Sequence, residues 1–190
     1  MDKKLQYSCL VALGGNLSSS VGPPQETLSA ALEQLEALGL RVAAVSRFYR
    51  TPCFPAGAGP DYVNAAAALE TGLGAEEILA KLHQVEAEFG RERETRWGRR
   101  TLDLDLVARG NEVLPNRERY LHWQALSPDL QAQAAPDELI LPHPRIQDRG
   151  FVLVPLLDVA PGWVHPVLGL SVREMVERLP QAARDEVVPL

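Results

Sequence analysis

Two periods of apolar residues alternate along this chain, and the switches between them mark its elements. Tyr7 to Leu13 is a short apolar run closed by Gly14, Gly15 and Asn16, which predicts a buried strand ending in a tight turn that uses glycine's positive φ values. From Pro24 to Leu38, apolar residues return at Leu28, Ala31 or Leu32, Leu35 and Leu38, with Gly39 just beyond. That spacing predicts an amphipathic helix with a glycine stop. Leu40 to Arg50 carries Val42, Val45, Phe48 and Tyr49 and reads as a strand of imperfect alternation. Thr51 to Asp61 holds three prolines and two glycines, so it sustains neither helix nor ladder and is a loop.

Strict alternation resumes in Tyr62 to Thr71, with Val63, Ala65, Ala67 and Leu69 on one face and Tyr62, Asn64, Ala66 and Ala68 on the other. Ala75 to Phe89 is the clearest helix, with Ile78, Leu79, Leu82, Val85 and Phe89 in one stripe, Glu76 and Glu77 in the first turn and Gly90 as the stop; acids at the N-terminus suit the helix dipole. Leu102 to Leu106 alternates again, and Gly110-Asn111 offers a turn into Val113, which predicts a hairpin. The order strand, helix, strand, strand, helix, strand predicts an α+β, ferredoxin-like βαββαβ core, its antiparallel sheet covered on one face by two helices, with C-terminal additions.

The remainder is read more coarsely. Pro115 to Glu138 is polar and alanine-rich, a surface excursion in which Tyr120, Trp123 and Leu126 make one turn of helical contact. Leu139 to Pro144 is a short strand cut off by prolines, and Phe151 to Val159 is a helix or buried segment despite Pro155. The last helix starts at Ser171, where Ser171 and Glu174 form a capping box with Leu170 and Met175 as its staple.

Composition changes this picture only at its edges. The chain has 190 residues, 46% of them hydrophobic and 23% charged, enough for a single domain over 1–190. A net charge of -6 argues against non-specific nucleic-acid binding, so any anionic partner is small. Cys9 and Cys53 have no ligand-like spacing. The first residues lack an apolar run long enough for a signal segment or a membrane span, which predicts a cytoplasmic protein.

The chemistry concentrates in Gly90 to Val107. Asp103 and Asp105 stand two apart in a strand pattern, so both carboxylates share one face while Leu102, Leu104 and Leu106 take the other. Two adjacent acids raise each other's pKa unless a cation offsets them, and Mg²⁺ suits one or two carboxylates plus substrate phosphates. Directly before them come Arg91, Arg93, Arg96, Arg99 and Arg100, five of the chain's 19 basic residues. Arginine forks match phosphate oxygens. Either motif alone is commonly a solvated surface; together they read as a site for a metal-bound polyphosphate, with Trp97 in a loop that can close over it. Tyr62 and Asn64, pointing together, suit a flat polar heterocycle. His143 sits between prolines beside Arg145 and Arg149.

Taken together, ALGGNL, SRFYRTP, PDYVNAAAALET, GRERETRWGRRTLDLDL, LPHPR and DRGFVLVPL resemble the 6-hydroxymethyl-7,8-dihydropterin pyrophosphokinases of folate biosynthesis, in the family's order along nearly the whole chain. The resemblance implies diphosphoryl transfer from Mg-ATP to the pterin's hydroxymethyl oxygen with release of AMP. It assigns Asp103 and Asp105 to two Mg²⁺ ions, Arg93 and Arg100 to catalysis, and Thr51, Pro52, Tyr62, Asn64, Trp97 and Phe151 to the pterin, which stacks between Tyr62 and Phe151. Glu86, Arg93, Trp97, Arg100, His143 and Arg149 fall on the nucleotide side. The implied partners are ATP and the pterin, for a monomer without nucleic acid or membrane. Departures from the family pattern are Gly15 for serine, Arg99 for proline, His83 where glutamine occurs, an arginine loop one residue short and the long 115–138 excursion. Two alternatives remain at this stage: a regulatory module that binds nucleotide without turnover, and a metal-dependent phosphohydrolase. Both differ from a pyrophosphokinase in having no pterin requirement.

Overall fold

A computed structural model describes residues 8–53, 57, 59–90, 101–133 and 135–190. Its centre is an antiparallel sheet. The strand β1 (Ser8–Gly15) lies between β5 (Asp103–Arg109) and β4 (Tyr62–Glu70); β2 (Arg41–Val45) and β3 (Tyr49–Thr51) line the other side of β4, and the two-residue β6 (Val188–Pro189) follows β3. The inner strands β1 and β4 are apolar on both faces, and the sheet is accordingly covered on both. The expectation of helices on one face only is corrected here.

On one face, α1 (Pro24–Ala37) and α2 (Ala75–Glu88) bury Leu28, Leu32, Leu35, Ile78, Leu82 and Val85 against Cys9, Val11, Leu13, Ala65, Ala67, Leu69, Leu104 and Leu106. Removing each such aliphatic side chain from water contributes about 1.5–3 kcal/mol. The predicted stops hold, since Gly39 and Gly90 end these helices with φ of 85° and 79°, a region favourable only to glycine. On the opposite face, α5 (Gly150–Val159) and α6 (Val172–Arg178) pack Val152, Leu153, Leu156, Met175 and Val176 onto Leu10, Ala12, Ala66, Val107 and Ala108. The alternation read for β4 is therefore real, and its small residues Ala66 and Ala68 face α5's side of the sheet.

Several boundaries differ from the sequence reading. The single strand expected over Leu40 to Arg50 is two, β2 and β3. Ser46 separates them: its hydroxyl accepts from the Ala66 N–H at 2.8 Å and donates to the Arg47 carbonyl at 2.7 Å, a side chain substituting for the backbone ladder. Asp158 of α5 then holds the joint, accepting from the backbone and guanidinium of Arg47 and from the Tyr49 hydroxyl. Gly110 does turn the chain, with φ 52°, but no hairpin follows. Leu114 instead forms a bridge with Leu141 through paired backbone hydrogen bonds of 2.9 and 3.2 Å. That bridge is all that exists of the strand predicted over Leu139 to Pro144, because prolines at 142 and 144 withhold the donors a ladder needs.

The bridge also closes the 115–138 excursion at its base. Within it lie α3 (Arg117–Ala125), capped by Asn116, and α4 (Pro128–Gln133). Tyr120, Trp123 and Ile140 form a small core, with Leu126 against it, so the excursion is more than surface. Its anchor is His165, wholly buried, whose ring nitrogen lies 2.9 Å from the Tyr120 hydroxyl. At the C-terminal end, the Ser171–Glu174 capping box is present, but α6 is not last; α7 (Gln181–Asp185) and β6 follow it. Among the described residues no helix is long and apolar enough to cross a membrane.

Candidate active site

The diacid strand has the predicted geometry. Leu104 and Leu106 are buried under α1 and α2, which turns Asp103 and Asp105 to the other face, where the Asp105 side chain stays 40% exposed. Register then sets their neighbours. Asp105 pairs with Ala12 and Asp103 with Gly14 across β1, and Gly14 pairs in turn with Asn64 of β4. A row therefore runs from carboxylate through glycine to carboxamide, its ends two strand spacings or roughly 10 Å apart.

Gly14 leaves the trough between them. A Cβ there would lie 2.9 Å from Asn64 Oδ1, closer than such contacts occur, so any larger residue would displace the Asn64 carboxamide. The φ of Gly14 is not positive, nor is that of Gly15; both finish the strand, correcting the tight turn read from the sequence. On the far side of the trough, Asn64 is buried and donates through Nδ2 to Thr51 Oγ1 at 2.7 Å. Tyr62 pairs with Thr51 across β3 and β4 and is half-buried, while Pro52 is exposed. Asn16, buried at the end of β1, donates to the Pro60 carbonyl at 3.3 Å and so ties the strand end to the proline loop. Phe151 projects from the first turn of α5, 42% exposed, with the Arg149 guanidinium 5.8 Å from its ring centre.

Beside Asp105 the surface turns basic. Arg149 Nη1 approaches Asp105 Oδ2 to 3.7 Å, and a cavity of about 520 Å³ extends from Asp105, His143, Arg145 and Arg149 to Trp123 and the 135–140 segment, within the range of small-ligand sites. His143 is clamped to β5 by its own backbone, which donates to the Val107 carbonyl at 2.8 Å. Its Nδ1 accepts from the Arg145 N–H at 3.2 Å, which assigns the proton to Nε2. Burial first, then the charges of Arg149 and Arg145, push its pKa down to about 3. The imidazole is thus a neutral donor at ordinary pH.

Glu86 sits differently from the other residues matched to the nucleotide side. It is 1% exposed, and its Oε1 accepts from the Leu104 N–H at 2.8 Å. The sequence did carry a signal, since position 86 falls on the α2 stripe of Leu79 and Leu82, where an acid needs a buried partner. Arg145 and Trp123 also line the cavity, and in the sequence they stand out only as neighbours of other features. Arg93, Trp97 and Arg100, with the whole arginine loop, lie outside the described residues.

The donors present fit Mg²⁺. Two carboxylates share one face, the Asp105 side chain 40% exposed, a donor set of the kind accepted by an ion that keeps waters and takes substrate phosphates.

Known proteins of one enzyme family resemble this chain. The family model for 7,8-dihydro-6-hydroxymethylpterin-pyrophosphokinase matches residues 10–161. A 2-amino-4-hydroxy-6-hydroxymethyldihydropteridine pyrophosphokinase of Synechocystis is 35% identical over 184 residues, covering 96% of this chain and 82% of the relative. One of Pseudomonas aeruginosa is 37% identical over 180 residues, covering 90% and 96%. Among solved structures, a Plasmodium falciparum HPPK-DHPS aligns with TM-score 0.61 at 14% identity, over 94% of this chain and 46% of that one. This likeness bears on the fold alone, and the chain spans less than half of that protein.

Proposed function

The chain belongs to the 7,8-dihydro-6-hydroxymethylpterin-pyrophosphokinase family, and from that premise we propose that it transfers the terminal diphosphoryl group of ATP to the hydroxymethyl oxygen of 6-hydroxymethyl-7,8-dihydropterin, releasing AMP for folate biosynthesis. The observation that carries the reading is the row from Asp103 over Gly14 to Asn64. One end can hold a metal-bound polyphosphate and the other a pterin. The glycine between them leaves room for the small arm that joins the two.

Each side chain then has a task. Thr51 and Asn64, locked together, present polar edges to the pterin, and Tyr62 and Phe151 supply aromatic faces against which its ring stacks, with Pro52 beside it. Asp103 and Asp105 would hold two Mg²⁺ ions, which would supply charge neutralisation at the phosphates. Arg149 and the neutral Nε2–H of His143 bind phosphate oxygens, joined by Arg93 and Arg100. To Trp97 the family resemblance gives the task of shielding the reacting groups from water. No protein nucleophile is needed, because positioning and charge stabilisation carry most of phosphoryl-type transfer. The strand order β5-β1-β4 with β2 and β3 beyond supports a ferredoxin-like core with C-terminal additions. We read the whole as a monomeric cytoplasmic single domain whose partners are small molecules.

The test is AMP production from Mg-ATP with and without the pterin alcohol. AMP that appears only with pterin supports the proposal. Phosphate release without an acceptor would make the protein a phosphohydrolase, and nucleotide binding without turnover a regulatory module.

A further inference from the structure

We propose that Glu86 is a positioning residue for the metal-binding strand, acting through the backbone of Leu104 and not by touching nucleotide. The inference rests on the reading of Asp103 and Asp105 as the metal-holding pair. β5 pairs on one side with β1, and its opposite edge needs cover, since an unpaired strand edge shifts register readily and exposes its donors. Among the described residues, two contacts supply that cover. The Glu86 carboxylate takes the Leu104 N–H at 2.8 Å, and the Val107 carbonyl takes the His143 N–H at 2.8 Å. They bracket Asp105, and the first falls on the one residue between the two acids.

Because Leu104 directs its N–H outward to Glu86, the inward bonds of β5 to β1 at this end fall to Asp103 and Asp105 themselves, opposite Gly14 and Ala12. The two acids are thus fixed from inside, and the residue that spaces them is fixed from outside. Glu86 is itself enclosed, 1% exposed on α2 beside Leu82 and Val85, so it refers the spacing of the acids to the packed core. Its location on the leucine side of the strand, away from the face of the carboxylates, is what separates positioning from ligation.

Glu86→Gln and Glu86→Leu discriminate the two roles. A carboxamide oxygen accepts the same bond, so Glu86→Gln should keep kcat and the Mg²⁺ requirement within about threefold of the parent. Glu86→Leu leaves the Leu104 N–H without its acceptor. It should lower kcat and weaken Mn²⁺ binding, titrated alone by electron paramagnetic resonance, each by about 10–100-fold, with the KM for pterin unchanged. Amide exchange at Leu104 should be protected in the parent and in Glu86→Gln, and fast in Glu86→Leu. If Glu86→Leu does not fold, the Gln variant decides alone: loss of Leu104 protection, or a collapse of Mn²⁺ affinity despite it, overturns the proposal. So does a Leu variant with parental Mn²⁺ affinity. The exchange and Mn²⁺ measurements need no turnover, so they stand even if the parent protein forms no AMP with pterin.

Discussion

Lowering the pH from 7 to 4 should destabilise this fold through His143 and His165, whose folded pKa values are both depressed, and the share of His165 can be isolated. His165 is 0% exposed. Its Nδ1 accepts from the Val167 and Leu168 N–H groups at 3.1 and 3.2 Å, so Nε2 carries the proton and donates to the Tyr120 hydroxyl at 2.9 Å. A second proton would have to displace both backbone donors. Burial holds the pKa at about 4, against 6.5 ordinarily. The folded value is the lower one, so the unfolded chain binds the proton first. The stability this group contributes is complete above about pH 6.5 and is lost as the pH falls toward 4. At 1.36 kcal/mol per unit the loss reaches about 3 kcal/mol, roughly 6–12 °C of melting temperature for a domain of this size. Thermal melts of the parent and His165→Gln at pH 7, 6, 5 and 4 isolate the effect, because His143 and the carboxylates titrate in both. The variant should be less stable at pH 7, and the gap should narrow by about 3 kcal/mol by pH 4. A gap that stays constant with pH would refute the reasoning. Since Tyr120 packs with Trp123, which lines the cavity beside Asp105, nucleotide affinity should weaken over the same interval.

Asp103→Asn and Asp105→Asn should each lower turnover by roughly 10³-fold or more while melting within a few degrees of the parent, because the amide keeps the shape and removes the charge; near-normal rates at ordinary Mg²⁺ would exclude them as metal ligands. Gly14→Ala puts a methyl group 2.9 Å from Asn64 Oδ1. It should raise the KM for pterin about tenfold, a cost of about 1.4 kcal/mol, with the KM for ATP unchanged; equal changes in both would point to general damage. His143, with its pKa near 3, should contribute no titration to kcat/KM between about pH 5 and 8, and an inflection that His143→Gln removes would show that the imidazole is charged in the working enzyme.

Much of the site was legible because it rides on period-two sequence. The alternation of Leu102, Leu104 and Leu106 with Asp103 and Asp105 shows which face is buried, and the same argument places Asn64 opposite Val63 and Ala65. What sequence could not supply was registry between strands. That Gly14 lies between Asp103 and Asn64 depends on pairings 50 to 90 residues apart along the chain, and a glycine that makes room for a neighbour looks identical in sequence to one required by a turn. Side chains that substitute for backbone were hidden in the same way. Ser46 divides one expected strand into two, and Glu86 caps a strand edge from another element. The excursion was underestimated because its core of Tyr120, Trp123 and Ile140 is short and closes against His165, a residue 45 positions from Tyr120.

The most direct test of the central claim is the identity of the bond that is made. Phosphorus NMR of the parent protein with Mg-ATP and 6-hydroxymethyl-7,8-dihydropterin should show AMP and a pterin diphosphate forming in equal amounts, with the β- and γ-phosphorus resonances of ATP passing together into the pterin product. ADP with a pterin monophosphate, or free phosphate appearing whether or not pterin is present, would contradict a site in which Asp103 and Asp105 serve attack at the β-phosphorus by an oxygen held across Gly14.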